Sequence, residues 1–219
     1  MNLNFHIKNY SLCLIVAISS FSFSQNNTNL KQNNQKLGFG SIDYSMAIPS
    51  GDNFIGLGME SKGGFNAKAQ FFIYKHFFIA GTVGSNYFSV KDKTIVGNYN
   101  KTTVSHQYLN IGYEILPIPN TRLGLSISLF GESNFENKSI TNTLEAFQND
   151  NAHVRSYEFY FDYMISDEFA LYLNYSYRND KTDIQAPLEI QNLFENANFH
   201  AVGIGVKLYF GNKDVFSGI

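Results

Sequence analysis

Three histidines, His106, His153 and His200, could gather a metal ion or act as a general base; His6 lies in the amino-terminal segment and His76 in a tight turn. A metal site needs imidazoles that converge on one coordination sphere. Hydrolysis needs a hydroxyl or thiol within reach of a base. The residues two positions after these histidines are Tyr108, Arg155 and Val202, so none is followed by a serine at the spacing that would place both on one strand face. The only cysteine, Cys13, sits in an apolar run near the start of the chain. Gly-rich phosphate loops and cysteine motifs are lacking, so the sequence predicts no enzymatic activity, no metal and no cofactor.

A larger set of reactive groups is ionic: Asp43, Lys68, Glu114, Arg122, Glu132, Glu158, Asp162, Arg178 and Lys207. What positions them is most evident at residues 198–210. There Val202, Ile204, Val206, Leu208 and Phe210 fall on one side, and Ala201, Gly203, Gly205, Lys207 and Tyr209 on the other. That is the period of a strand. A strand in a soluble sandwich would show water a row of Lys, Glu and Thr. A bulky apolar face backed by a small or ionic one instead suits a closed barrel with hydrocarbon outside and a packed polar lumen inside.

Seven further segments alternate in the same way, over residues 37–48, 65–74, 77–90, 107–116, 121–132, 154–165 and 169–178. The connections at 74–76, 117–120 and 166–168 are short, whereas those at 49–64, 91–106, 136–153 and 179–197 are long and polar. Short and long joints alternate strictly. The expected fold is therefore all-β: an eight-stranded antiparallel up-and-down transmembrane β-barrel with short periplasmic turns and long extracellular loops. Segments of this length match the ~9–11 residues that a tilted strand needs to cross hydrocarbon. Strand parity would put His106 inward but His153 and His200 outward, which speaks against one shared ion.

Phe and Tyr number 21 and 14 with no Trp, and only 16 % of residues are charged, which suits a β protein with an apolar exterior. A formal charge of −2 supplies no basic field for nucleic acid. Residues 1–24 read as a secretory signal, with Lys8 ahead of an apolar run from Leu12 to Ile18 and a small-residue site at Ser22-Phe23-Ser24. Residues 25–35 are an Asn/Gln-rich tail that lacks the apolar surface to order itself. The barrel is expected over 36–211, followed by a short tail at 212–219.

From 37 to 210 the alternating strands and joints resemble the small eight-stranded outer-membrane barrels of the OmpA/OmpX type, and more loosely the outer-membrane β-barrel domain family. The resemblance implies the outer membrane of a Gram-negative bacterium, contact with outer-membrane lipid, insertion by the barrel-assembly machinery, and a monomer. Some such barrels are lipid A deacylases, resembling one another in an outward His-x-Ser pair; this chain lacks that pair. The sequence departs from the usual ending, since Phe210 is followed by nine more residues rather than closing the chain.

In a narrow lumen neither sign of charge can stay unpaired, so Arg122, Arg178, Lys68 and Lys207 are expected to face the carboxylates as a plug. Two aromatic girdles are expected at the membrane interfaces. Phe65, Tyr87, Tyr157 and Tyr177 would form the one at the loop ends; Phe77, Tyr113, Tyr163, Phe169 and Phe210 the one at the turn ends. Apolar residues in the first and fourth loops, Phe54, Ile55, Leu57, Leu193 and Phe194, are candidates either for contact with a partner or for a cap over the barrel mouth. The rival readings are a soluble lipocalin-like barrel, which would turn the same strands inside out around an apolar ligand, and an accessory subunit of a secretion or uptake machine.

Overall fold

The computed structural model describes residues 36–139 and 148–218. The expected signal segment and Asn/Gln-rich tail lie outside the described residues, as does part of the third long connection. Eight strands follow in chain order: β1 (Gly38–Ser50), β2 (Met59–Tyr74), β3 (Phe77–Val90), β4 (Lys101–Ile115), β5 (Thr121–Lys138), β6 (Gln148–Met164), β7 (Phe169–Thr182) and β8 (Asn196–Phe210). Each pairs antiparallel with its neighbour in sequence, and β1 pairs with β8 from Gly38 opposite Phe210 to Ser50 opposite Asn198. The sheet closes on itself, so no strand edge is left unpaired.

The bulky apolar side chains point outward. Ile204 is 65 % exposed and Leu125 63 %, whereas Lys207, Asp162 and Glu114 are 0 % exposed. This orientation overturns the lipocalin-like alternative, which needs the aliphatic rows inside. From the turn ends up to Leu109, Leu129, Tyr157 and Tyr177, the outward positions carry no charged group. The belt they form is one that hydrocarbon accepts and water does not.

Seven of the strands run further toward the long loops than the alternation predicts, β1 and β8 by two residues and the other five by four or more. β4 begins at Lys101 rather than 107, β6 at Gln148 rather than 154, β2 at Met59 rather than 65, while β5 reaches Lys138 and β7 Thr182. The added rungs keep the ladder, but their outward residues are polar: Thr103, Ser105, Asn134, Asn151 and His153 among them. Outward apolar residues stop where the apolar belt stops, so the pattern that marks a strand stops with them. Phe65, Tyr157 and Tyr177 are consequently mid-strand residues rather than strand ends.

One strand changes face partway. Leu109 pairs with Phe130 and Asn110 with Ser128, which leaves Leu129 as an extra residue in β5. The ladder to β6 is interrupted over the same stretch, between Ile127–Tyr157 and Glu132–His153. The Ser128 hydroxyl accepts the freed Ser156 amide at 2.7 Å. A one-residue bulge reverses the parity of everything beyond it. Arg122, Gly124 and Ser126 face inward before it; Ser133, Phe135 and Asn137 do so after it. Glu132, expected in the lumen, therefore stands on the outer face.

The first long connection folds into the barrel mouth. Helix α1 (Phe54–Gly58) starts at Asn53, whose side chain accepts the Gly56 amide at 2.9 Å. Phe54 and Ile55 are buried against Phe88, Val104, Phe135 and Phe199. Phe54 also stacks on Phe194 at 5.2 Å between centroids, at the end of helix α3 (Gln191–Phe194). Helix α2 (Lys93–Val96) packs beside α1, with Val96 against Gly58. At the other end of the barrel the chain turns back after β8. Asp214 accepts the Lys75 amide at 2.8 Å and the Ser217 amide at 2.6 Å, and Val215 N donates to Phe72 O.

Candidate functional site

The barrel interior gathers most of the ionic residues singled out from the sequence, and alternation brings them there: each occupies an inward rung. Toward the turn end, Arg122 Nη1 lies 2.6 Å from Glu114 Oε1, and Lys207 Nζ 2.8 Å from Asp162 Oδ2. The Tyr160 hydroxyl donates to Glu114 Oε2 at 2.7 Å, and Tyr209 donates to Asp162 at 2.5 Å. Gln70 Nε2 completes the layer by donating to the Tyr160 hydroxyl at 3.1 Å. Five strands, β2, β4, β5, β6 and β8, are thereby tied across the lumen, and each carboxylate has both a cation and a phenol.

At mid-height Lys68 pairs with Glu158, beside the Tyr172 hydroxyl. Asp43 accepts from Asn66 at 2.9 Å, and Asn66 Oδ1 lies 3.1 Å from His106 Nε2. Nearer the mouth, Arg178 Nε is 3.0 Å from Asp180 Oδ1, and Ser133 donates to Asp180 at 2.8 Å. Asp180 was not among the expected lumen charges, because β7 outruns its apolar rows by four residues and the alternation gives no sign of it.

Rings fill the space between the ions. Phe39, Phe72, Phe78, Tyr160, Tyr172 and Tyr209 pack into one cluster around the turn-end ion pairs. Lys207 Nζ stands 3.5 Å from the Tyr160 centroid, 3.9 Å from Phe39 and 4.2 Å from Tyr172. Arg122 lies over Tyr209 at 4.7 Å and Arg178 over Phe199 at 4.6 Å. Cation–π contacts of this kind strengthen as water is removed. The small residues of the inward face make room for them: a Cβ on Gly124 would lie 2.1 Å from Tyr160, and one on Gly112 2.2 Å from Phe78. Reading those glycines as marks of a small, polar lumen missed the aromatic half of its filling.

The three strand histidines do not converge. His106 is buried in the lumen, while His153 and His200 face outward. His106 meets Asn66, and His200 Nδ1 lies 2.7 Å from the Tyr175 hydroxyl; neither bond is to a serine. Among the described residues no three His, Cys, Asp or Glu side chains are grouped to hold a metal.

The aromatic residues expected at the interfaces all face outward, with Tyr44 edge-on to Phe65 and Phe77 edge-on to Tyr113. Of the loop residues proposed for contact, Phe54 and Ile55 are buried in the mouth, and Leu193 and Phe194 are half-buried. Burial in the mouth removes the first two from any contact surface. Leu57 remains exposed.

No family model matches the chain, and no curated protein matches it in sequence. Solved structures do match it. Neisserial surface protein A aligns over 79 % of this chain and 97 % of its own, at 10 % identity and a TM-score of 0.51. The outer membrane protein OprG from Pseudomonas aeruginosa aligns over 81 % and 98 %, at 12 % identity and the same TM-score, 0.51. The chain has the fold of the small outer-membrane barrels. At such identities the likeness concerns the backbone.

Proposed function

We propose that this chain is an integral outer-membrane protein of a Gram-negative bacterium, exported by a cleaved signal, monomeric and without enzymatic activity. Its barrel is closed to solutes by its own side chains, and it serves the envelope structurally or through its loops. The observation that carries this reading is the pairing of opposites across one wall: an uncharged aliphatic and aromatic belt outside, ion pairs at 0–6 % side-chain exposure inside. A soluble barrel has no reason to show water the belt. A pore has no reason to cross its lumen with Glu114–Arg122 and Asp162–Lys207 bound into a ring cluster. The outward aromatics act as interfacial anchors; those nearer the loops mark the upper limit of the hydrocarbon, and the strands continue above it.

Cell fractionation and liposome swelling test both halves. The folded chain is expected in the outer-membrane fraction, with gel mobility that changes on boiling, and its proteoliposomes are expected to exclude small sugars. Recovery from the periplasm without detergent would refute the location, and sugar entry would refute the closed lumen.

A further inference from the structure

The bulge in β5 shapes the outer wall as well as the lumen. Beside it lies a furrow of about 750 Å³ on the outside of the barrel, at the upper limit of the apolar belt. Its lower bank is apolar, made by Val83, Leu109, Leu129 and Phe130; its upper bank carries His153 and Arg155. Gly81, on the outward row of β3, contributes no side chain, which leaves the furrow its depth. Glu132 also lines the furrow and stands opposite His153 in the β5–β6 ladder. Arg155 has no carboxylate within ion-pair distance among the described residues, and neither does Lys181, which lies opposite His153 on β7. Arg155 stands two residues above Tyr157, roughly 7 Å along the strand.

Resting on the membrane reading above, we infer that this furrow is a binding site for one phosphate-bearing lipid, with an acyl chain along Leu109 and Leu129 and the phosphate on Arg155, supported by Lys181. Each part of that ligand meets its own chemistry. Hydrocarbon lies on the aliphatic bank. The phosphate sits just above the belt, where an arginine fork matches its oxygens. A choline headgroup brings its own cation to the same place and would be disfavoured. Of the other outward lysines on the upper strands, Lys62 and Lys138 are paired with Glu60 and Glu136, and Lys101 stands opposite Lys138, away from the furrow.

The test is native mass spectrometry of the folded chain in detergent, titrated with dioleoyl phosphatidic acid or with dioleoyl phosphatidylcholine. One phosphatidic acid is expected to stay bound in preference to phosphatidylcholine. Arg155→Gln is expected to weaken it by about fivefold, and Lys181→Gln by less. Lys62→Gln, on the far side of the barrel, is expected to change nothing. Inorganic phosphate at the same concentrations is expected not to compete, since it lacks the chain that fills the apolar bank. Equal retention of both lipids, an Arg155→Gln variant that binds like the parent, or full competition by inorganic phosphate would each overturn the site. Failure to insert into phosphatidylcholine vesicles would instead refute the membrane reading; insertion without lipid preference would refute this inference alone.

Discussion

Lys207 Nζ lies 2.8 Å from Asp162 Oδ2 in a part of the lumen where neither side chain meets solvent, and three aromatic rings surround the ammonium. Removing one partner of such a pair leaves the other as an uncompensated buried charge. Lys207→Met is therefore expected to cost about 3–5 kcal/mol, whereas Lys207→Met combined with Asp162→Asn recovers a large part of it. Urea titration of the reconstituted barrel, read as the loss of heat-modifiable mobility, measures both. A single variant as stable as the parent would show that Asp162 takes up a proton or another partner without penalty.

Gly124 and Tyr160 make a second dependence of this kind. A methyl group at position 124 would enter the Tyr160 ring, which is itself held by Gln70 and Glu114. Gly124→Ala is expected to destabilise by about 1–3 kcal/mol through overpacking. Adding Tyr160→Phe should bring no relief, because the ring remains and the bond to Glu114 is lost. Gly40 is the control in the same assay, as a Cβ there meets nothing within 4 Å. Gly40→Ala is expected to be neutral or slightly stabilising.

Strand number, topology and the direction of each wall residue below the bulge were legible in the sequence, because lipid imposes a period-two code wherever it touches the wall. Leu123, Leu125 and Ile127 could be oriented from spacing alone, as could Phe159 and Ile204. Above the belt the code ends. Val104, Phe135 and Ala152 are core residues of the mouth, yet their outward neighbours are Ser, Asn and His, so nothing in the spacing separates those rungs from a polar loop. The position of Glu132 was misread for a different reason: alternation carried across residues 129–130 assumes an unbroken ladder, although Leu129-Phe130 sets two large apolar residues side by side and Gly131 follows, the kind of break at which a bulge sits. The pairing of specific ions was only partly legible. Parity puts Lys68, Glu158, Asp162 and Lys207 in one cavity, but only the stagger of the strands decides which carboxylate each lysine reaches.

The carboxy-terminal tail offers a pH-dependent contact. Burial pushes the Asp214 carboxyl up, but hydrogen bonds from the Ser217 and Lys75 amides outweigh it and hold the group below its ordinary value. A lowered folded value means that the charged form is what the folded state favours. The stabilisation is present above the unfolded carboxylate pKa of ~3.9 and is lost as pH falls through the lowered folded value. Hydrogen exchange at the Lys75 and Val215 amides is expected to be protected at neutral pH and to lose protection, after correction for intrinsic rates, only below about pH 4. Asp214→Asn should expose both amides at every pH while the barrel stays closed.

The bulge can be checked one residue at a time. If Leu129 is the extra residue, Glu132 faces out and Ser133 faces in; an unbroken alternation from Leu123 would place them the other way round. In a Cys13→Ser background, Glu132→Cys is expected to react rapidly with a membrane-impermeant maleimide, while Ser133→Cys, under the cap of Phe54 and Ile55, is protected until the barrel is unfolded. Deleting Phe130 should leave this contrast intact, because it restores the Leu109–Leu129 pairing without shifting either flank. Reactivity at Ser133→Cys with protection at Glu132→Cys would mean that β5 runs straight, that Glu132 belongs to the lumen, and that the furrow beside it does not exist.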